Sequence, residues 1–235
     1  MPKAPMTRQE VEGVRERILD AALEIIVTEG FGNLSLRKIA SRLNVTPTTL
    51  YHYYSGKDEL NLMIRVRGFE KLFELLTAQA APHTGLEARF EAMIRGYVEF
   101  GLAHPSYYDL MFSLHTPKYL DYVGTEVEPL AEHEKAVALK CLSLFTEPLS
   151  DYIPGKGPDK DRFVLHQVAA FWSDLHGLVT LCNSRLFHEV LPDVDAFVEQ
   201  RAAGIVAALL DLKRRIGRGE ALFYRGKTRR GQGGM

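Results

Sequence analysis

Along nearly the whole chain, apolar residues return every three or four positions and never settle into the two-residue alternation of a strand. Ile18, Ala21, Ala22, Ile25 and Ile26 make one such stripe, and Phe197, Ile205, Leu209 and Leu212 another. That period is the helical one, so the pattern predicts an all-α fold. The expected helices cover 11–29, 36–43, 47–53, 57–80, 86–103, 106–114, 127–149, 161–187 and 194–216. Their ends carry recognisable signals. Gly30 follows the first helix, as a glycine just past a helix end commonly does. Ser35 and Thr46 stand as N-caps, and Pro47 occupies the first helical position, where its missing N–H is no loss. Ser55 and Asp58 are spaced as an N-cap and its N3 carboxylate. Pro129 is tolerated in a first turn, and the prolines and glycines of 153–159 make a loop.

The bulk numbers narrow the function. A chain of 235 residues, 46% hydrophobic and 25% charged, reads as an ordinary soluble globular protein. No apolar run suggests a membrane span and the start lacks a signal-peptide core, so a cytoplasmic location is expected. Cys141 and Cys182 fit reduced, buried thiols. The eight histidines form no H-x-x-x-H pair and have no nearby cysteine set, so neither a metal nor another cofactor is expected. There is no Gly-rich phosphate loop, nucleophile elbow or H-E-x-x-H motif to support an enzyme. Charge is uneven: residues 1–67 hold 10 basic and 8 acidic residues, 68–212 hold 11 and 21, and 213–235 hold 8 and 1.

The segment LSLRKIASRLNVTPTTLYHYYSGKDEL, residues 34–60, has four basic residues and no acidic one before Asp58. Ile39, Ala40, Leu43, Val45 and Leu50 supply its apolar positions. Ala40 is small where two helices would cross, and Asn44 stands where a tight turn needs a left-handed residue. This is the pattern of a helix-turn-helix, whose second helix enters the DNA major groove. Arg37, Lys38, Thr46, Thr48, Thr49, Tyr51, His52, Tyr53 and Lys57 are left facing outward. Cations neutralise phosphates, hydroxyls donate to phosphate oxygens, and Arg and Thr can also read base edges. A carboxylate on this surface would repel the backbone, and none is expected there. A solvated basic face that binds nothing is the competing reading.

The stretch Ile18–Leu60 carries A-A-L-E-I-I, E-G-F, S-L-R-K-I-A, L-N-V-T, T-L-Y-H-Y-Y and K-D-E-L in order. It resembles the N-terminal domain of TetR-type transcriptional regulators. The resemblance implies that Tyr51 and Lys57 contact phosphates and that Arg37, Pro47, Thr48 and Thr49 face bases. Asn44 replaces the family's usual turn glycine, and Tyr53-Tyr54 replaces its frequent His-Phe, with Tyr54 expected to pack. The implied organisation is a three-helix DNA-binding domain at 10–58, a larger helical effector-binding and dimerisation domain of about nine helices at 59–216, and a basic Gly/Arg-rich tail at 217–235.

The last two long helices, 161–187 and 194–216, offer more apolar face than a small monomer buries. Pairing with a second copy as a four-helix bundle would cover it. H-P-S-Y-Y-D-L-M-F and the W-x-x-x-H-G run resemble the C-terminal domain of a subset of TetR-like regulators, which implies an effector cavity. Tyr97, Phe100, Tyr108, Phe112, Tyr119, Trp172, His176 and Asn183 are its candidate lining, against ordinary core packing for the same aromatics. The expected function is a homodimeric repressor released from a palindromic operator in double-stranded DNA by a small organic effector. The alternative is a helical adaptor that keeps the fold without specific DNA binding.

Overall fold

The protein is described by a computed structural model covering residues 6–218; the basic tail expected at 217–235 lies almost wholly outside the described residues. The described residues form eleven α-helices, α1 (Arg8–Glu29), α2 (Leu36–Leu43), α3 (Pro47–Tyr51), α4 (Lys57–Ala80), α5 (Leu86–Ala103), α6 (Pro105–Tyr108), α7 (Tyr119–Tyr122), α8 (Glu128–Tyr152), α9 (Pro158–Asn183), α10 (Leu186–Val190) and α11 (Val194–Gly217). A 3-10 turn covers Phe31–Asn33 and a π-helical turn Asp109–Ser113. No strand occurs among the described residues. Eight α-helices follow α3, where about nine are expected.

The chain forms two compact units, one of residues 1–79 and 96–141, the other of residues 80–95 and 142–235. In the first, α2 packs against both α1 and α3. Its core centres on Ile18, Ile25, Ile26, Ile39, Leu50, Leu60 and Ile64, all essentially inaccessible. Each such side chain contributes about 1.5–3 kcal/mol on burial. This unit extends past residue 58, and within it Arg67 of α4 binds Glu16 and Asp20 of α1. In the second unit, Phe90, Phe145 and Phe171 meet with ring centroids 5.2–6.5 Å apart. There α9 packs on α10 and α11.

Several ends differ from expectation for local reasons. The first helix begins three residues early because Thr7 and Glu10 form a reciprocal capping box: the Glu10 N–H donates to Thr7 Oγ1 (3.2 Å) and the Thr7 N–H to Glu10 Oε2 (2.7 Å). At α4 the capping carboxylate is Glu59, not Asp58. Glu59 Oε2 accepts both the Ser55 N–H (2.6 Å) and the Ser55 hydroxyl (2.7 Å). The third helix stops at Tyr51, two residues short. The helix expected at 161–187 ends at Asn183, where Arg185 takes a left-handed conformation (φ 62°) and α10 starts afresh. Cys141 and Cys182 are buried free thiols, and burial pushes the Cys141 thiol up to about 12.

Candidate nucleic-acid interface

The turn between α2 and α3 is built as its residues dictate. Ser35 caps α2 by accepting the Lys38 N–H at 3.2 Å. Asn44 closes it in a left-handed conformation (φ 53°, ψ 46°), with its N–H on the Ser41 carbonyl. Thr46 Oγ1 accepts the Thr49 N–H at 3.3 Å and starts α3 with Pro47 in its first turn. Ile39, Ala40 and Leu50 are buried between the helices, and Tyr54 is buried beneath them. Val45 is not part of that contact: it is 41% exposed, and only its backbone N–H ties it in, to Ala40 O at 3.0 Å.

Helix α3 therefore presents Thr46, Pro47, Thr48, Tyr51 and His52 outward, with Thr49 and Tyr53 half-buried. Tyr51 is 59% exposed. The Tyr53 hydroxyl points at Met6 Sδ, 3.7 Å away. On α2, Arg37 is exposed and makes no ion pair among the described residues. Lys57 is also exposed, and its ammonium sits 5.0 Å over the Phe31 ring. That contact holds the charge over the 3-10 turn that follows α1. It explains the phenylalanine of E-G-F, whose role the spacing alone does not reveal.

The basic face is less basic than its segment. Glu29, at the end of α1, accepts from Lys38 and from Arg42 (2.9 Å), and Glu24 binds Arg42 at 3.0 Å. The Lys38 hydrogen bond, then the charges of Lys38 and Arg42, hold the Glu29 carboxyl below its ordinary range against its desolvation. Carboxylates from another helix thus occupy two of the four cations, which a pattern confined to residues 34–60 cannot show. Among the described residues Arg37 and Lys57 are the cations of this segment without an ion pair, flanked by hydroxyls and a phenol. Such a surface can hold phosphates by charge and hydrogen bonds while a short helix enters a groove.

The candidate effector residues divide between the units. In the first, Tyr97, Tyr108 and Phe112 meet at centroid distances of 5.0–6.2 Å, and the Tyr97 and Tyr108 hydroxyls lie 3.1 Å apart. Burial, then Tyr97, pushes the Tyr108 phenol far above its ordinary value, so it is a neutral hydroxyl. Phe100 is buried on α5. Tyr119 on α7 has the Lys135 ammonium 4.2 Å over its ring and its hydroxyl on Glu132 at 3.5 Å. Trp172, His176 and Asn183 lie on α9 in the second unit, with Trp172 40% exposed.

Sequence reasoning missed a buried polar group on α4. Arg65 donates through Nε (2.8 Å) and Nη2 (2.7 Å) to Glu134 Oε1. Asn61 Nδ2 donates to the Tyr122 hydroxyl (3.0 Å), which donates to Asp58 Oδ1 (3.4 Å). Burial pushes the Tyr122 phenol up to about 12. The available signal was N-x-x-x-R inside an otherwise apolar run, Leu60 to Val66, which puts two polar groups on one face a turn apart.

An all-helical chain whose α2–turn–α3 carries exposed Arg37 and exposed hydroxyls, with Lys57 opening the next helix, defines a helix-turn-helix DNA-binding protein. Family comparisons agree. The pattern of the tetR family of bacterial regulatory proteins matches residues 18–62, and that of the tetracyclin repressor-like C-terminal domain matches 90–205. The chain is 26% identical to the uncharacterised HTH-type transcriptional regulator YobS of Bacillus subtilis (strain 168) over 173 residues, 74% of this chain and 81% of YobS. It is 34% identical to the HTH-type transcriptional regulator SrpR of Pseudomonas putida over 91 residues, 39% of this chain and 41% of SrpR. Its fold is similar to that of the crystal structure of SCO4313, with a TM-score of 0.67 and 22% identity, covering 86% of this chain and 100% of that one. A tetR-family regulatory protein from Rhodococcus RHA1 gives a TM-score of 0.59 at 15% identity, covering 83% and 96%. The chain belongs to the TetR family of transcriptional regulators. It is a DNA-binding regulator and not an enzyme. Among the described residues no helix is long and apolar enough to cross a membrane.

Proposed function

We propose that this regulator is a homodimeric repressor that a small organic effector releases from a palindromic operator. The observation that carries the reading is the pair of unpaired cations, Arg37 and Lys57, beside the exposed Thr46–Tyr51 edge of a capped helix-turn-helix. Arg37, Thr48 and Thr49 face base edges, with Pro47 packing close to the groove. Tyr51, Tyr53, His52 and Lys57 contact phosphates, and Lys38 joins them only where DNA draws it from Glu29. Tyr97, Phe100, Tyr108 and Phe112 supply an apolar wall with two hydroxyls, the mixture a small organic ligand needs. Tyr119 remains a candidate for the same role, and Trp172, His176 and Asn183 remain candidates for an effector contact within the second unit.

Dimerisation is supported by α9 and α11. Leu165 and Trp172, seven residues apart and so on one stripe of α9, are 47% and 40% exposed. A second copy packed on that stripe places two α3 helices to read two half-sites about one DNA turn apart. Release then requires an effector that binds the two spacings with different affinities.

Footprinting of the purified protein on DNA flanking its own gene, at about physiological salt, tests the reading. A protected palindrome is expected, and effector titration should weaken the protection. Binding that ignores DNA sequence would leave the adaptor reading in its place.

A further inference from the structure

Among the described residues the buried polar and charged side chains are Asn61, Arg65, Thr116 and Glu134. They come from three separate stretches of chain, yet they form one neighbourhood in the first unit. Asn61 and Arg65 share a face of α4, and Glu134 of α8 receives Arg65. Thr116 Oγ1 accepts from Lys118 Nζ at 3.3 Å, and that ammonium lies close enough to Arg65 and Glu134 to feel both charges.

The cluster is incomplete. Both Arg65 contacts go to a single oxygen of Glu134, which leaves Nη1 without a partner among the described residues although Arg65 is only 7% exposed. Asn61 is fully buried, and its Oδ1 also has no partner. A buried ion pair confers little net stability over an apolar contact, and orphaned buried donors and acceptors are rare. Packing alone does not account for collecting these groups and leaving two atoms unanswered.

We propose that Arg65 Nη1 and Lys118 Nζ receive the carboxylate of an organic-acid effector, with Asn61 Oδ1 accepting from a hydroxyl or amide N–H on that ligand. The carboxylate offers two oxygens to two cationic donors, the pairing that makes charge-assisted hydrogen bonds strong. The apolar body follows from what adjoins the head. The Arg65 guanidinium lies 6.0 Å from the centroid of the Phe69 ring, Phe69 meets Phe112 at 5.7 Å, and Phe112 meets Tyr97 and Tyr108. Aromatic and acyl carboxylic acids fit that sequence of surfaces. Occupancy would be felt at the DNA end of α4, because the Asn61–Tyr122–Asp58 chain ends one residue from Lys57. This assignment rests on the effector-responsive reading above and names the chemical class of the effector.

The test uses the full chain and two matched series, 3-phenyllactate and 2-hydroxyoctanoate against their primary amides and methyl esters, so that acid and neutral analogue alike keep a hydroxyl for Asn61. Calorimetry gives affinity, and fluorescence anisotropy with the footprinted operator gives DNA release. The acids are expected to bind and the neutral analogues to bind at least about tenfold more weakly, the scale of one charge-assisted hydrogen bond. Lys118→Met, at an exposed position, and the conservative Arg65→Lys should each weaken acid binding by about tenfold or more while circular dichroism reports a folded chain. Equal binding of acids and amides, an unaffected Lys118→Met, or no acid binding at millimolar concentration would overturn the proposal. Neutral compounds that bind and release DNA would sink this site but keep the effector-responsive reading. Acids that bind through Lys118 without releasing DNA would keep the site and sink that reading.

Discussion

Residue by residue, the DNA face separates its cations into two kinds. Lys38 and Arg42 are held by Glu29 and Glu24, so they join α2 to α1. Among the described residues Arg37 and Lys57 have no such partner. Replacing both of the latter with alanine should weaken operator binding and flatten the plot of log affinity against log salt by about 0.9 for each phosphate no longer neutralised. Replacing Lys38 and Arg42 should change that slope much less and lower stability only slightly, since these surface pairs are screened by solvent. Equal slope changes in the two double variants would refute the division. Residue identities and turn chemistry were legible here: Asn44 is left-handed, Thr46 caps, and Tyr54 packs. The pairings were not, because Glu24 and Glu29 belong to a neighbouring helix and reach the basic face only through tertiary packing.

Lys118 carries a pH signature of the buried cluster. Burial, then the Arg65 charge, pulls its pKa down to about 8 from an ordinary 10.5, against the opposing pull of Glu134 and Asp121. The unfolded chain therefore holds this proton more tightly than the folded one. Its contribution to stability is least favourable below pH 8 and improves as pH rises from 8 toward 10.5. The exposed stem of the side chain leaves part of that effect screened by solvent. Urea denaturation at two pH values in that window should show a smaller rise for Lys118→Met than for the parent. An identical rise would place the ammonium in open water.

At the level of elements, α4 ties α1 to the α6 segment within the first unit. Its Arg67 binds Glu16 and Asp20 of α1 and lies 5.3 Å from the centroid of the Tyr107 ring of α6. One residue on, Gly68 faces the α6–π-turn segment at close range. A Cβ there would stand 2.6 Å from Met111 Sδ and 3.0 Å from Tyr107 Cδ1. Gly68→Ala should lower stability by about 1–3 kcal/mol through overpacking, despite alanine's better helix propensity. Chemical denaturation decides this, and a more stable variant would mean that Met111 swings aside at no cost. Helical periodicity foretold the long helices well, since each is a sustained amphipathic run. It did not reveal α7, a single turn, or the break at Arg185, where no glycine or proline marks the left-handed residue. The π-helical turn was equally hidden, because its distinction from α lies in hydrogen bonding and not in spacing.

For the whole molecule, the proposed mechanism makes DNA recognition a property of two chains. Exposed Leu165 and Trp172 on α9 are matched on α11 by a line of small residues, Ala203, Gly204, Ala207 and Ala208, whose exposed positions would let another helix approach closely. A charge on that surface need not disturb either chain's own core, because Phe163, Val168, Phe171 and Leu175 already fill the buried face of α9. Trp172→Glu combined with Ala207→Glu should therefore give a folded monomer by sedimentation. Such a monomer keeps its helix-turn-helix intact but engages a single half-site, so operator affinity should fall by orders of magnitude while weak, salt-sensitive binding to random DNA persists. A variant that remains dimeric with full operator affinity would move the interface elsewhere. One that is monomeric yet still protects the whole palindrome would show that dimerisation is not what sets the spacing of the two reading helices.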